Sequence, residues 1–468
     1  MDNSYDLIVI GSGPGGYTAA IRGAQLGFHT AIVEKYETLG GTCTNVGCIP
    51  SKALLDSTEL LEGINLKAAK AGIEVEGVKV DFNRMIERKK QVVKLNTDGL
   101  NYLMKKNKIT VLRGTASFRD PHSIVLTAPG AEDQVYSSTY FIIATGSKPS
   151  TIPGVTIDKK RIISSTEALS LTIKPSSLIV IGGGVIGVEL ASVYQRIGVK
   201  VTIVEYSDRL LPAMDKELGK ELEKLLKRKG IGIFTSSKVL SATANEESVD
   251  VSYLDKEGKT ITLNGEYCLV AVGRKPYTTG LGLSNTRILT DQAGRVMVDD
   301  KLQTAEENIY AIGDVIRGVM LAHKAEDEAV MVLDNLKGMK HPINYLRIPN
   351  VVYTWPEVAG VGYTEDELIA AGTPYNKGKF PFIASAKARA ADDTDGFLKV
   401  LTDPKYGEVL GVQIISARAA DLIAQAVLSM DFEITDNELA KISYAHPTFS
   451  EAFKDAYLIS SGRGAINL

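Results

Sequence analysis

The sequence predicts an α/β chain carrying two βαβ units of the dinucleotide-binding kind, followed by a sheet-and-helix region of another composition. Three observations predict it. The 468-residue chain repeats itself once at a constant offset of 171 residues, so that IVIGSGPGGYTAAIRGAQLGFHTAIVE (Ile8 to Glu34) aligns without a gap on IVIGGGVIGVELASVYQRIGVKVTIVE (Ile179 to Glu205). In each copy a β-branched apolar run meets G-x-G-x-x-G, then come a helix-period segment, a glycine (Gly27, Gly198), a second strand and a terminal Glu. From about Leu346 the pattern changes to short β-rich runs and then helices.

Each part of the repeat has a chemical reason. Gly11 and Gly182 make the turn, Gly13 and Gly184 let backbone N–H groups approach a pyrophosphate at a helix N-terminus, and Gly16 and Gly187 permit close helix packing. Two dinucleotides are implied. Glu34 and Glu205 are placed to accept hydrogen bonds from adenosine ribose hydroxyls. At the second site a carboxylate repels a 2′-phosphate, and the nearest following basic residue, Arg209, stands four positions on. NAD is therefore favoured over NADP.

Between the repeats lies a helix-rich stretch to about Lys108, whose Lys and Glu read most simply as a solvated face. Short strand-like runs follow (ITVLRG, SIVLTA, YFIIATG), and Pro149 and Pro153 mark a crossover into the second nucleotide region. After AVGRKP (Ala271 to Pro276) a Gly- and Asp-dotted segment leads to NIYAIGDV. The final region holds VVYTWPEVAGVG, FLKVLTD and GEVLGVQII as strands, then helices and HPTFSEAF.

Composition excludes several classes. With 53 Lys plus Arg against 56 Asp plus Glu, the net charge of -3 gives no basis for wrapping nucleic acid or lying on anionic lipid. The first twenty residues hold no Lys or Arg, and the longest apolar run, LIVIGGGVIGV, is too short for a bilayer span. A chain of this length buries large cores without covalent staples. Its three cysteines fit a reducing compartment, and cytoplasm is the expected location.

Two of those cysteines, Cys43 and Cys48, stand in GGTCTNVGCIPSK, just after the first repeat. Across five positions a regular helix advances about 7.5 Å and turns the side chains apart, whereas disulfide Cα atoms sit about 4.4 to 6.8 Å apart. If the pair is bonded the segment is not helical throughout, and Gly47 is placed to allow the distortion. Pro50 suits the first turn of a helix through SKALLDSTELL. A thiol at a helix N-terminus has its thiolate stabilised, which makes it a good leaving group and electron donor. A closed zinc site needs about four ligands. No second Cys pair or nearby His supplies them, so no metal is expected. Cys268, inside YCLVAVG, reads as core.

The histidines are His29, His122, His323, His341 and His446. His29 aligns with Lys200 of the second repeat and reads as surface, His122 and His341 lie beside prolines in apparent turns, and His323 lacks an obvious relay. His446 opens HPTFSE, which puts Glu451 in the first turn of a helix, where its carboxylate can hold the imidazole tautomer. On these residues alone, a structural His before a proline turn is supported at least as well.

The stretches GGTCTNVGCIPSK, IIATGSKP, IGGGVIGVE, AVGRKP, IYAIGDV, LAHKAEDE, VYTWPEVAGVGYTE and HPTFSEAF together resemble the flavoprotein disulfide reductases over essentially the whole chain. The match is closest to the branch that oxidises dihydrolipoyl groups with NAD. That resemblance implies an FAD-binding domain (1–148), an inserted NAD-binding domain (149–274), a central domain completing the FAD site (275–346) and an α+β dimerisation domain (347–468). The fold implied is two Rossmann-like domains, one inserted in the other, plus the interface domain of a homodimer. Asp314 is implied to bind the ribityl and phosphate region of FAD, and Thr42, Thr145, Gly146 and Gly273 join the repeat glycines and glutamates as cofactor-binding residues.

By the same route Cys43 is the sulfur that exchanges with substrate and Cys48 the one against the flavin. Lys52 is implied to lie beside it, paired with Glu189, which stands where the first repeat has Thr18. His446, oriented by Glu451, becomes the general base delivered to the other subunit's Cys43. The partners implied are lipoylated carrier domains and the acyltransferase core of a 2-oxoacid dehydrogenase complex, or the lipoylated glycine cleavage carrier protein. Thr44 and Trp355 depart from the family's common residues. Glutathione reductases usually carry Lys where Ser51 stands and use NADP, and mercuric reductases carry C-terminal cysteines absent from SSGRGAINL. A flavin-bearing assembly protein with an idle redox site is the alternative from another class.

Overall fold

The computed structural model describes residues 3–340 and 342–468. His341 lies outside the described residues. Packing divides the chain into two units: residues up to 53, 84–150 and 273–343 form one, and 54–83, 151–272 and 344–468 the other.

In the first unit the apolar runs of the first repeat become the middle of a seven-stranded sheet. Thr110–Arg113, Thr30–Glu34, Ser4–Ile10 and Gln134–Ile143 lie side by side in parallel, and Ser123–Thr127 and Thr115–Asp120 extend the sheet antiparallel. Ile309–Ala311 returns to pair in parallel with Gln134–Ile143, in the register Ile309↔Phe141. Leu7, Ile8, Val9 and Ile32 are fully buried, as expected of parallel strands covered on both faces.

The helix Pro14–Gln25 packs on the helix Ala322–Leu336, and small residues allow it. A Cβ added to Gly15 would lie 3.0 Å from Ala325 O, and one added to Gly23 2.5 Å from Leu7 Cδ2 and 3.5 Å from Leu333 Cδ1.

The second unit opens with the second repeat in a five-stranded parallel sheet: Gly232–Phe234, Lys200–Val204, Ser177–Ile181, Tyr267–Val270, Ile162–Ile163. Cys268 is fully buried there, and burial with Asp158 nearby pushes its thiol up to about 12, as a core residue should behave. Beside it stands an antiparallel meander (Lys238–Ala244, Val249–Leu254, Thr260–Gly265) that the motif pattern does not announce. Its signals are an alternating apolar pattern and the turn sequences NEES and DKEG.

The C-terminal region is a five-stranded antiparallel sheet in the order Asn350–Val352, Glu357–Gly362, Val409–Ser416, Phe397–Thr402, Asn376–Pro381, packed with helices Ala419–Asp431 and Glu451–Ser460. The architecture is thus α/β with two nucleotide-type sheets and an α+β C-terminal domain. No helix among the described residues is long and apolar enough to cross a membrane.

Candidate active site

The two repeats fold into matching cradles. Gly11 has φ +105° and Gly182 φ +108°, conformations that favour glycine, and an added Cβ would sit 2.4 Å from Ala144 O and 2.5 Å from Ala271 O. Gly16 and Gly187 are closed more tightly, with Cβ positions 1.9 Å from Gly11 O and 2.0 Å from Gly182 O. Gly13 and Gly184 differ: each is the extended N-cap of its helix, and a Cβ there meets nothing within 4 Å. No side chain caps either helix start among the described residues. An open, uncapped helix N-terminus with its N–H groups unclaimed by side chains fits a pyrophosphate.

Glu34 and Glu205 are both buried at the ends of their strands. Glu34 accepts from Ser12 N at 3.2 Å, Ser12 Oγ at 2.6 Å and Tyr36 N at 2.9 Å. Glu205 accepts from Gly183 N and, at 2.6 Å, from Ser207 N. Both carboxylates thus brace their own glycine loop, a contact that the repeat's spacing does not reveal. Carboxylate oxygens carry further lone pairs, so a ribose hydroxyl can still donate to each. Arg209 is engaged with Asp208 at 2.8 Å and Pro212 O at 3.4 Å.

Cys43 and Cys48 form a disulfide with Cα atoms 4.7 Å apart. The helix Gly41–Val46 stops at Gly47, and a new helix, Cys48–Lys67, starts on the second cysteine. The break falls where the cysteine spacing requires one. Gly47 is needed for close approach, since a Cβ there would lie 2.9 Å from Thr42 O and 3.3 Å from Cys43 Cα. Thr44 is buried against Gly40, whose added Cβ would lie 2.5 Å from Thr44 Cβ.

Elsewhere in this unit, Asp314 accepts from Ser147 Oγ, and Arg274 donates to Ser147 Oγ at 2.7 Å and Ser147 O at 2.8 Å. Ser147 and Arg274 stand in the quoted stretches IIATGSKP and AVGRKP, but those stretches do not announce their contact with one another and with Asp314. Thr145 Oγ1 donates to Tyr277 O at 2.6 Å, and Gly146 and Gly273 take φ +69° and +113°. His29 is exposed and stacks on Tyr5 at 4.6 Å, and His122 is exposed near Asn308.

In the second unit, His446 Nδ1 lies 2.8 Å from Glu451 Oε1, and the other Glu451 oxygen accepts from Thr448 N at 2.8 Å. In the single chain the imidazole is 73% exposed, with Nδ1 turned to the carboxylate. The helix Glu451–Ser460 begins on the carboxylate itself. Glu189 is buried in the helix Val185–Arg196 and accepts from Tyr353 N at 3.0 Å. Trp355 Nε1 donates to Asp393 at 3.2 Å, with Lys67 Nζ 5.7 Å from its ring centroid.

Residues 5–329 match the pyridine nucleotide-disulphide oxidoreductase family, and residues 348–457 match that family's dimerisation domain. The chain belongs to this family. It is 46% identical to the mitochondrial dihydrolipoyl dehydrogenase of Schizosaccharomyces pombe, over 98% of this chain and 90% of that one. It is 43% identical to the dihydrolipoyl dehydrogenase of Bacillus subtilis, over 99% of both chains.

Among solved structures it is similar to LpdA from Mycobacterium tuberculosis, with a TM-score of 0.89 and 27% identity over 96% of this chain and 98% of that one. It is also similar to the HOCl-induced flavoprotein disulfide reductase RclA from Escherichia coli, with a TM-score of 0.85 and 28% identity over 97% of this chain and 99% of that one. Membership makes the chain an FAD- and NAD-dependent oxidoreductase that works as a homodimer.

Proposed function

We propose that this enzyme oxidises protein-bound dihydrolipoyl groups with NAD. The disulfide at the start of the helix Cys48–Lys67 carries the reading. His446 takes a proton from one substrate thiol, Glu451 stabilising the imidazolium that results. The thiolate attacks Cys43 Sγ, the Cys43–Cys48 bond breaks, and Cys48 leaves as a thiolate favoured by the helix start. The second substrate thiol, giving its proton to solvent, attacks its fellow lipoyl sulfur in the mixed disulfide and expels Cys43, whose thiolate takes up the proton held on His446. Cyclic oxidised lipoyl leaves, and the cysteine pair holds two more electrons than before.

When bound, FAD and NAD supply the route by which that electron pair leaves as hydride. Gly11, Gly13, Gly16, Glu34, Thr42, Thr145, Gly146 and Asp314 are proposed to hold FAD, with Lys52 and Glu189 paired beside the redox group. Gly182, Gly184, Gly187, Glu205 and Gly273 are proposed to hold NAD. The four-part division at 148, 274 and 346 belongs to the same proposal, as do the delivery of His446 to the other subunit's Cys43, a cytoplasmic location, and service to a lipoylated carrier in a 2-oxoacid dehydrogenase or glycine cleavage complex.

The deciding experiment is anaerobic mixing of the FAD-loaded enzyme with dihydrolipoamide or with glutathione, each with NAD or NADP, following reduced nicotinamide by absorbance. Reduction with dihydrolipoamide and NAD is expected. Faster turnover with glutathione and NADP would move the enzyme to another branch of the family.

A further inference from the structure

The helix Ala322–Leu336 buries two opposite charges one turn apart. Lys324 and Glu328 have fully buried side chains, Nζ to Oε1 2.9 Å. A well-packed apolar pair of similar volume often stabilises a fold as well or better, so such a pair asks for another reason. Its remaining hydrogen bonds supply one. Glu328 Oε2 accepts from Gly313 N at 2.7 Å, and Lys324 Nζ donates to Gly313 O at 3.2 Å and to Arg317 O at 3.0 Å.

Both polar groups of one peptide residue are therefore gripped by one ion pair. Gly313 itself takes φ +75°, and an added Cβ would lie 3.1 Å from Ala325 Cβ. The next residue is Asp314, in the short 3-10 turn Gly313–Val315, with its carboxylate against Ser147.

We infer that Lys324 and Glu328 are positioning residues that fix the Gly313–Asp314 turn, and through it the direction in which Asp314 meets FAD. The inference rests on the proposal that Asp314 is an FAD ligand. Charge suits the pair to this role, because ionised groups make stronger hydrogen bonds than neutral ones and lock the turn from both its N–H and C=O sides. The pair touches the turn and not the reacting atoms, so its effect is on how firmly FAD is held.

The test compares Asp314→Asn, Lys324→Met/Glu328→Gln and the triple variant, all prepared as holoenzyme. The double variant leaves the pocket neutral and keeps an amide oxygen to accept from Gly313 N, while both Nζ bonds are lost. FAD release, followed by the fluorescence of free flavin, is expected to be about tenfold faster in the double variant, the size of a lost charged hydrogen bond. The triple variant should release FAD no more than about twofold faster than Asp314→Asn alone, because both changes act through one contact. At saturating FAD, the visible circular dichroism of the flavin should change in the double variant as it does in Asp314→Asn, a signature that a purely stabilising role would not move.

If Asp314→Asn weakens FAD and the double variant does not, or if the effects multiply in the triple variant, the clamp is wrong and the Asp314 reading stands. Unchanged FAD release in Asp314→Asn overturns both. Should the double variant not accumulate as a folded dimer, Glu328→Asp, which keeps the charge but shortens its reach to Gly313 N, carries the same comparison.

Discussion

The two βαβ copies can be laid residue on residue, and their cradles agree: the turn glycines differ by 3° in φ, since Gly11 is at +105° and Gly182 at +108°. What stands behind each helix does not agree. The first helix presents Gly15 and Gly23 to its surroundings, and the helix Ala322–Leu336 packs so closely that an added Cβ on Gly15 would lie 3.0 Å from Ala325 O. At the equivalent positions the second helix has Ile186 and Tyr194, and Tyr194 is buried with its hydroxyl donating to Ala168 O. One nucleotide loop is backed by a helix that also grips the Asp314 turn, while the other is filled in by its own larger side chains. On the proposed assignment, the same phosphate-binding grammar serves FAD, to be retained, in the first copy and NAD, to be exchanged, in the second.

The largest effect that separates the two sides concerns the cysteines, which follow only the first copy. Cys43→Ser should reduce lipoamide turnover to background while FAD content and NADH-driven reduction of an artificial dye persist, because hydride exchange does not need the disulfide. Persistent lipoamide turnover would remove the pair from the chemistry. His446→Gln should slow lipoamide turnover by about 10²- to 10⁴-fold and spare dye reduction. Mixed dimers of the Cys43→Ser and His446→Gln subunits, purified through two tags, should regain one working site. No recovery above the parental dimers would place His446 in its own subunit's site or out of the reaction.

The cradles themselves offer the sharpest contrast. Gly16→Ala and Gly187→Ala drive a methyl into a backbone oxygen, and each should destabilise its unit by about 3 kcal/mol, read by denaturation. Gly13→Ala and Gly184→Ala meet open space in the protein, so both should fold normally. The first should lower FAD retention, and the second should raise KM for NAD by about tenfold with FAD content unchanged. Loss of FAD in Gly184→Ala would break the assignment of one cofactor to each copy. The smallest effect is specificity: Glu205→Arg should shift the NAD to NADP preference by up to about tenfold, roughly 1.4 kcal/mol. It should leave FAD content alone, whereas Glu34→Gln should lower it.

Most of this is legible in the sequence because the signals are local. G-x-G-x-x-G is a backbone requirement, and it reads the same in a string of letters as in a fold; so does Gly47, whose lack of a side chain lets the two cysteine helices meet. The grouping of Ser147 and Arg274 with Asp314 is not legible, because the three come from stretches far apart in sequence. Lys324 and Glu328 stand in LAHKAEDE, and their i, i+4 spacing suggests an ordinary surface pair. What distinguishes them is that the face carrying them continues into Met331 and Val332, apolar residues that bury the helix. The antiparallel meander 238–265 is hard to read because its polar outer faces weaken each strand's signal.

The strand Ile309–Ala311 belongs to a sheet begun near the start of the chain, and its partner is Phe141–Ile143. A ribosome makes that partner first and then the whole of 151–272 before the strand emerges. Every strand of the second unit's parallel sheet lies between Ile162 and Val270, so that sheet can close on the nascent chain while the first still has an open edge. An unpaired edge is a template for wrong partners, and the protein carries it for the length of the insert. The turn that carries Asp314, the proposed FAD ligand, is also missing until then. If Asp314 holds FAD as proposed, birth order makes loading of that cofactor a late event, in which the last-made strand of the sheet covers the edge of Phe141–Ile143 and brings the carboxylate.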